Sequence, residues 1–173
     1  MKKKNLKKNN GYTLIELVLY ISLFTIMISA ISISFSLFFD SKIKNQTIME
    51  VDGEGAQIMQ IITQTIRNAN SINSPILGAS DTSLSLNVVN PILDPTVFSL
   101  SGNEINVTEG LIPAVSLTNN LRVIASGLLF ENLSRNLTPD IIGISFTLTH
   151  LNPSGRNEYD YSKTFYGSAS LKY

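Results

Sequence analysis

Cysteine is absent from the 173 residues, which excludes a disulfide framework, thiol catalysis and any cysteine-ligated metal site. Histidine occurs once, at His150, near the end of an expected strand; with no cysteine or placed acid partner it reads as structural. No phosphate-binding loop is present either, because Gly53-x-Gly55 is followed by none of the residues such a loop needs. A concentrated basic face is also missing. The formal charge is zero overall, and from Asp40 onward 8 Lys/Arg stand against 12 Asp/Glu, a net of −4. So acidic a body argues against a nucleic-acid surface, which needs clustered cations to meet phosphates. No internal repeat or low-complexity tract is evident.

Charge is scarcest near the N-terminus. Between Lys8 and Asp40 the only charged residue is Glu16. Upstream lies a basic leader with Lys2, Lys3, Lys4, Lys7 and Lys8; downstream, Leu17–Phe39 is an uncharged apolar run of 23 residues. As a helix rising roughly 1.5 Å per residue, that run reaches about 35 Å, enough to cross a bilayer. Ser22, Ser29, Ser32, Ser34 and Ser36 interrupt it, yet their hydroxyls can bond to carbonyls one turn earlier, and small residues permit close helix–helix approach. The five lysines predict a cytoplasmic N-terminus, with everything after Asp40 translocated. Glu16 sits at the lip of this segment, where an unpaired carboxylate costs roughly 2–4 kcal/mol on insertion. It calls for a partner.

Three readings of this N-terminus compete. A secretory signal peptide would need cleavage at a small-x-small site such as Ala30-Ile31-Ser32, leaving apolar Ile33–Phe39 on a soluble product. A plain signal anchor accounts for the length and the lysines but gives no reason for Glu16. A third reading takes the leader, Gly11, Glu16 and the length together. Gly11-Tyr12-Thr13-Leu14-Ile15-Glu16-Leu17 resembles the prepilin processing site of type IV pilins and pseudopilins.

That resemblance carries specific implications. In the family, a membrane peptidase cuts after the glycine and methylates the new N-terminal amine. Here cleavage would fall between Gly11 and Tyr12, making Tyr12 the N-methylated first residue. The family usually has Phe there, and Tyr12 keeps the aromatic shape. Glu16 matches the acid that pairs with the N-terminal amine of a neighbouring subunit during assembly; it lies four residues on from Tyr12, one helical turn away. The ammonium and the carboxylate are each costly alone in an apolar setting and tolerable as a pair. The implied partners are other pilins or pseudopilins, the prepilin peptidase, an inner-membrane assembly platform with cytoplasmic ATPases, and lipid before assembly. No cofactor, metal or nucleic acid is implied.

Beyond the membrane the helix is expected to continue. Val51, Ile58, Ile62, Ile66 and Ala69 mark one apolar face over polar Gln57, Gln60, Gln64 and Arg67. Gly53 and Gly55 are expected to loosen it, and Asn68-Ala69-Asn70-Ser71 with Pro75 to end it. Strands are expected at Ser83–Val88, at a Thr96–Leu100/Glu104–Thr108 hairpin closed by Ser101-Gly102-Asn103, at Leu121–Ala125 less clearly, and at Ile141–Leu151 and Ser162–Leu171. Asn90–Asp94, Leu111–Asn120 and Asn152–Asn157 read as loops. The organisation expected is a leader over 1–11, a transmembrane assembly helix over 12–39, its amphipathic continuation over 40–70, and a β-rich head over 71–173. This is an α+β chain, a long N-terminal helix packed on a mainly antiparallel sheet, and similar to the pilin fold. The order of hairpin, Leu121–Glu131 stretch and two closing strands is similar to minor pseudopilins of the J class and W-type minor pilins.

Other patterns are weaker. Asp52-Gly53-Glu54 and Asn157-Glu158-Tyr159-Asp160 bring acids together, and the second has the oxygens for a calcium ion, but solvated loop charge explains both. Asn106, Asn132 and Asn136 head glycosylation sequons that an Asn- and Ser-rich chain produces by chance. Tyr159, Tyr161, Phe165, Tyr166 and Tyr173 form either a surface patch or alternate core positions. The sequence thus predicts a non-enzymatic filament subunit of the inner membrane, with its head periplasmic or extracellular. The alternative is a membrane-anchored binding ectodomain, an adhesin or DNA-uptake component outside any filament.

Overall fold

The computed structural model describes residues 11–135 and 139–172. The chain forms two compact units, one ending at Lys42 and the other beginning at Ile43. Helix α1, Leu14–Arg67, runs through both as 54 continuous residues. Among the described residues nine strands follow: β1 (Ala69–Ser74), β2 (Ser80–Asp81), β3 (Ser83–Val88), β4 (Thr96–Ser101), β5 (Glu104–Glu109), β6 (Val115–Ser116), β7 (Val123–Asn132), β8 (Ile141–His150) and β9 (Ser162–Ser170). They build two antiparallel sheets, ordered β1-β3-β4-β5-β6 and β2-β7-β8-β9. The architecture is α+β as expected, with two sheets where the sequence suggested one.

Alternation built the core. Ile142, Ile144, Phe146 and Leu148 on β8 are buried on one face and meet Leu84 and Leu86 of β3, Phe98 of β4 and Ile105 of β5 in a single cluster. The predicted helix face closes it: Val51, Ile58, Ile62 and Ile66 are fully buried. At the β4–β5 hairpin, Ser101 pairs directly with Glu104, and Gly102 and Asn103 both have positive φ, 59° and 69°. Two such residues in a two-residue loop are what a type I′ turn needs, and its twist matches the strands it joins.

Four expectations change. The helix ends at Arg67 rather than near residue 70, and Ala69-Asn70-Ser71-Ile72-Asn73-Ser74 pairs as β1 instead of leaving as a coil. Gly55 does not loosen the helix; it is buried beneath the ring of Phe165. The strand expected near Leu121–Ala125 is the ten-residue β7. A bulge between Ser126 and Leu129, with Gly127 at φ 61°, shifts its phase, so Val123 and Ala125 face inward before it and Leu128, Phe130 and Asn132 after it. The fourth concerns the aromatics. Phe165 packs against the core and stacks on Phe146 at 5.3 Å, but Tyr166 is 79 % exposed; Tyr173 lies outside the described residues.

Candidate functional site

The N-terminal site is built by the first turn of α1. Thr13 caps the helix: its Oγ1 accepts the Glu16 backbone N–H at 3.3 Å, and its carbonyl accepts that of Leu17 at 3.1 Å. Thr13-Leu14-Ile15-Glu16 is the Thr-x-x-Glu pattern in which a hydroxyl satisfies a donor the helix leaves open. Glu16 therefore stands in the first turn, where the helix dipole favours a carboxylate. One turn further on, the Tyr20 hydroxyl donates to Glu16 Oε1 at 3.3 Å. The Tyr20 ring in turn meets Tyr12 edge-on, with centroids 6.4 Å apart and planes at 79°. Thr13 and Tyr20 were not singled out from the sequence, although the capping pattern and the i, i+4 spacing signal both.

Around this site the surface is apolar and open. Leu14 and Ile15 are 84 % and 75 % exposed, and large side chains stay exposed through Phe39. Helix α1 is long and apolar enough to cross a membrane, with a stretch of mean hydropathy 2.3 of which none is buried. Its hydroxyls are consumed internally: Thr25, Ser29, Ser32 and Ser34 donate to carbonyls four residues earlier at 2.8–2.9 Å, and Ser22 to Leu19 at 2.8 Å. A helix that satisfies its side-chain hydroxyls this way presents little unmet polarity to lipid. A Cβ at Gly11 would meet nothing within 4 Å, so no contact in the described chain requires glycine there.

Residues 6–32 match the family described as the prokaryotic N-terminal methylation motif. The chain carries that motif. No curated protein and no solved structure matches the chain. The methylation motif spans the leader and the first part of α1, and it supports a pilin- or pseudopilin-type subunit processed at its N-terminus. Together with the exposed apolar helix it supports a membrane-anchored, single-pass protein.

The remaining candidates resolve into contacts within the head unit. Asp52 and Glu54 lie on α1, not in a solvated loop. Asp52 Oδ1 accepts the Tyr161 hydroxyl at 3.2 Å and meets Lys163 Nζ at 3.1 Å, while Glu54 Oε1 accepts the Asn119 backbone N–H at 2.6 Å. Burial pushes the Glu54 carboxyl above its ordinary range; the Asn119 N–H opposes this and the nearby Glu50 charge adds to it. At the Asn157–Asp160 turn a cation is already supplied by the chain. Lys44 Nζ donates to the carbonyls of Asn157 and Asp160 at 3.2 and 2.6 Å, and Arg156 pairs with Glu158 at 3.2 Å. Among the described residues no group of three or more His, Asp or Glu side chains is placed to hold a metal ion.

His150 ends β8 beside α1. Its Nε2 lies 3.5 Å from Glu50 Oε2, its ring stacks on Tyr159 at 5.7 Å and 13°, and its buried Nδ1 has no hydrogen-bond partner among the described residues. Glu50 also pairs with Arg122. These side chains, with Gln46 and Thr47, line a cleft of about 270 Å³. Of the sequons, Asn132 is buried, donating to the Pro75 carbonyl at 2.8 Å and accepting the Ser134 N–H at 3.1 Å. Asn106 is half-buried in β5, and Asn136 lies outside the described residues.

Proposed function

We propose that the chain is a structural, non-enzymatic subunit of a type IV pilus or type II secretion pseudopilus. A prepilin peptidase cuts between Gly11 and Tyr12, Tyr12 becomes the N-methylated first residue, and Glu16 pairs with the equivalent amine of a neighbouring subunit. The observation that carries this reading is the open apolar first part of α1, Leu14–Phe39, whose one charge, Glu16, stands a turn from the proposed new terminus. Gly11 supports it too: its lack of a side chain has no use in the described contacts and fits recognition by an external enzyme. The leader lysines favour a cytoplasmic N-terminus with the head translocated. Residues 1–11 are then removed, 12–39 reside in the membrane and later in the filament, and the head carries the specialisation. The β4–β5 hairpin, the long β7 and the closing β8 and β9 favour a minor subunit of the J-class or W-type kind.

Intact-mass and N-terminal analysis of the protein from its own cells tests this. The expected chain begins at N-methylated Tyr12. A chain that retains residues 1–11 overturns the reading in favour of a permanently anchored binding ectodomain, and one beginning at Ile33 means secretion.

A further inference from the structure

Assembly by charge pairing leaves a problem before assembly: Glu16 must wait at the edge of an apolar segment without its partner. The structure contains a group that meets it. Tyr20 stands one turn beyond Glu16 on the same face, and its hydroxyl reaches Glu16 Oε1 at 3.3 Å. The same ring is the surface against which Tyr12 packs, edge to face, at 6.4 Å. One side chain therefore touches both the residue that bears the carboxylate and the residue that would bear the new amine.

We propose that Tyr20 is a positioning residue for assembly, holding the Glu16 carboxylate through its hydroxyl and the Tyr12 end of the helix through its ring. This rests on the pairing role given to Glu16 above. The geometry suits positioning rather than competition. Tyr20 engages one carboxylate oxygen, and an ionised carboxylate has a second oxygen with its own acceptor sites. A hydroxyl donating to Oε1 restricts the rotation of a flexible side chain, and preorganising a charged partner lowers the ordering cost when its counterpart arrives. The ring adds a second constraint, since edge-to-face aromatic pairs hold a preferred geometry. Tyr12 and Glu16 thus keep their separation along the helix while the subunit is still in lipid. The four-residue spacing from Glu16 to Tyr20 puts those two side chains on one helical face, and Tyr12, just before the helix, meets the same Tyr20 ring.

The test is a double-mutant cycle in the full chain, expressed in its own cells, with Tyr20→Phe, Glu16→Ala and the combination. Incorporation into sheared or overproduced filaments is divided by the amount of processed subunit in the membrane, which removes effects on insertion and cleavage. Tyr20→Phe keeps the ring and loses the hydroxyl. It should be processed normally and be incorporated roughly tenfold less, the factor expected for one hydrogen bond to a charged group. In the Glu16→Ala background the same change should have no further effect, because the hydroxyl then has nothing to hold. A merely structural tyrosine would instead act independently of residue 16. Normal incorporation of Tyr20→Phe, or additive losses in the double variant, overturns the inference while leaving the pairing of Glu16 intact. If Glu16→Ala is itself incorporated normally, the pairing reading has failed and this inference falls with it.

Discussion

The ring of Phe165 lies across Gly55: a Cβ on that glycine would collide with the ring's Cζ. Four residues along α1 and two along β9 the relation is reversed, with Met59 Sδ filling the space over Gly167, 2.5 Å from where a Cβ would stand. Helix and strand thus exchange a large and a small side chain twice. Phe165 is fixed from behind by its stack on Phe146, so it cannot swing away freely.

Gly55→Ala should accordingly destabilise the head although alanine is the better helix former. Relief of the glycine penalty is worth about 1 kcal/mol, against overpacking costs of about 1–3 kcal/mol or more where the neighbour is held in place. Thermal unfolding of the full chain in detergent micelles should show a lowered midpoint, and Phe165→Leu in the same background should recover part of it. A rise in midpoint for Gly55→Ala alone would contradict the close approach.

Glu16→Ala should insert and be cleaved, yet be largely missing from filaments. Removing one member of a charge pair in an apolar setting leaves the other uncompensated, at a cost of about 3–5 kcal/mol. Comparing membrane and sheared-filament fractions reads this directly. Equal proportions of variant and wild type in the filament fraction would refute the pairing.

Glu54 gives a pH signature of definite sign. Its folded-state pKa is raised above the ordinary 4.5, chiefly by burial. The folded state therefore binds more protons than the unfolded one in the interval above that value, and stability falls as pH rises through the folded pKa. Glu54→Gln keeps an oxygen for the Asn119 N–H and cannot ionise. Melting curves across that interval should show a shallower loss of stability for the variant; parallel curves would remove Glu54 as the source.

Asn132→Ala should be costly for a different reason. It strips partners from the Pro75 carbonyl and the Ser134 N–H at a buried position, and unsatisfied buried groups cost about 1–3 kcal/mol each. Chemical denaturation should register a loss in that range. The same burial makes the Asn132 sequon unavailable for glycosylation of the folded head, which mass analysis can check.

Much of this was legible in local pattern. Where one face of an element is continuously buried, periodicity reports it: the β8 alternation and the Val51–Ile66 helix face transfer directly into the core. Where the phase breaks, the pattern fails. The bulge at Gly127 divided β7 into two out-of-step halves, so its second half showed no single alternation. In β1 only Ala69 is buried, which leaves its Asn and Ser residues looking like a coil. The two-residue strands β2 and β6 are too short to carry any period.

The sequence by itself determined the N-terminal segment of this protein, as far as Phe39. Leader, Gly11, Glu16 and the uncharged run are properties of consecutive residues, and a helix in lipid satisfies its backbone within its own segment. Tertiary structure decided the rest, because those contacts join residues far apart in the chain. It made Gly55 a seat for Phe165, set the Lys44 ammonium on the Asn157 and Asp160 carbonyls, and turned Asp52 and Glu54 from apparent loop charges into ties between helix and head. Tyr20 belongs between the two. Its spacing from Glu16 was written in the sequence, and its double contact with Tyr12 and Glu16 became visible only in three dimensions.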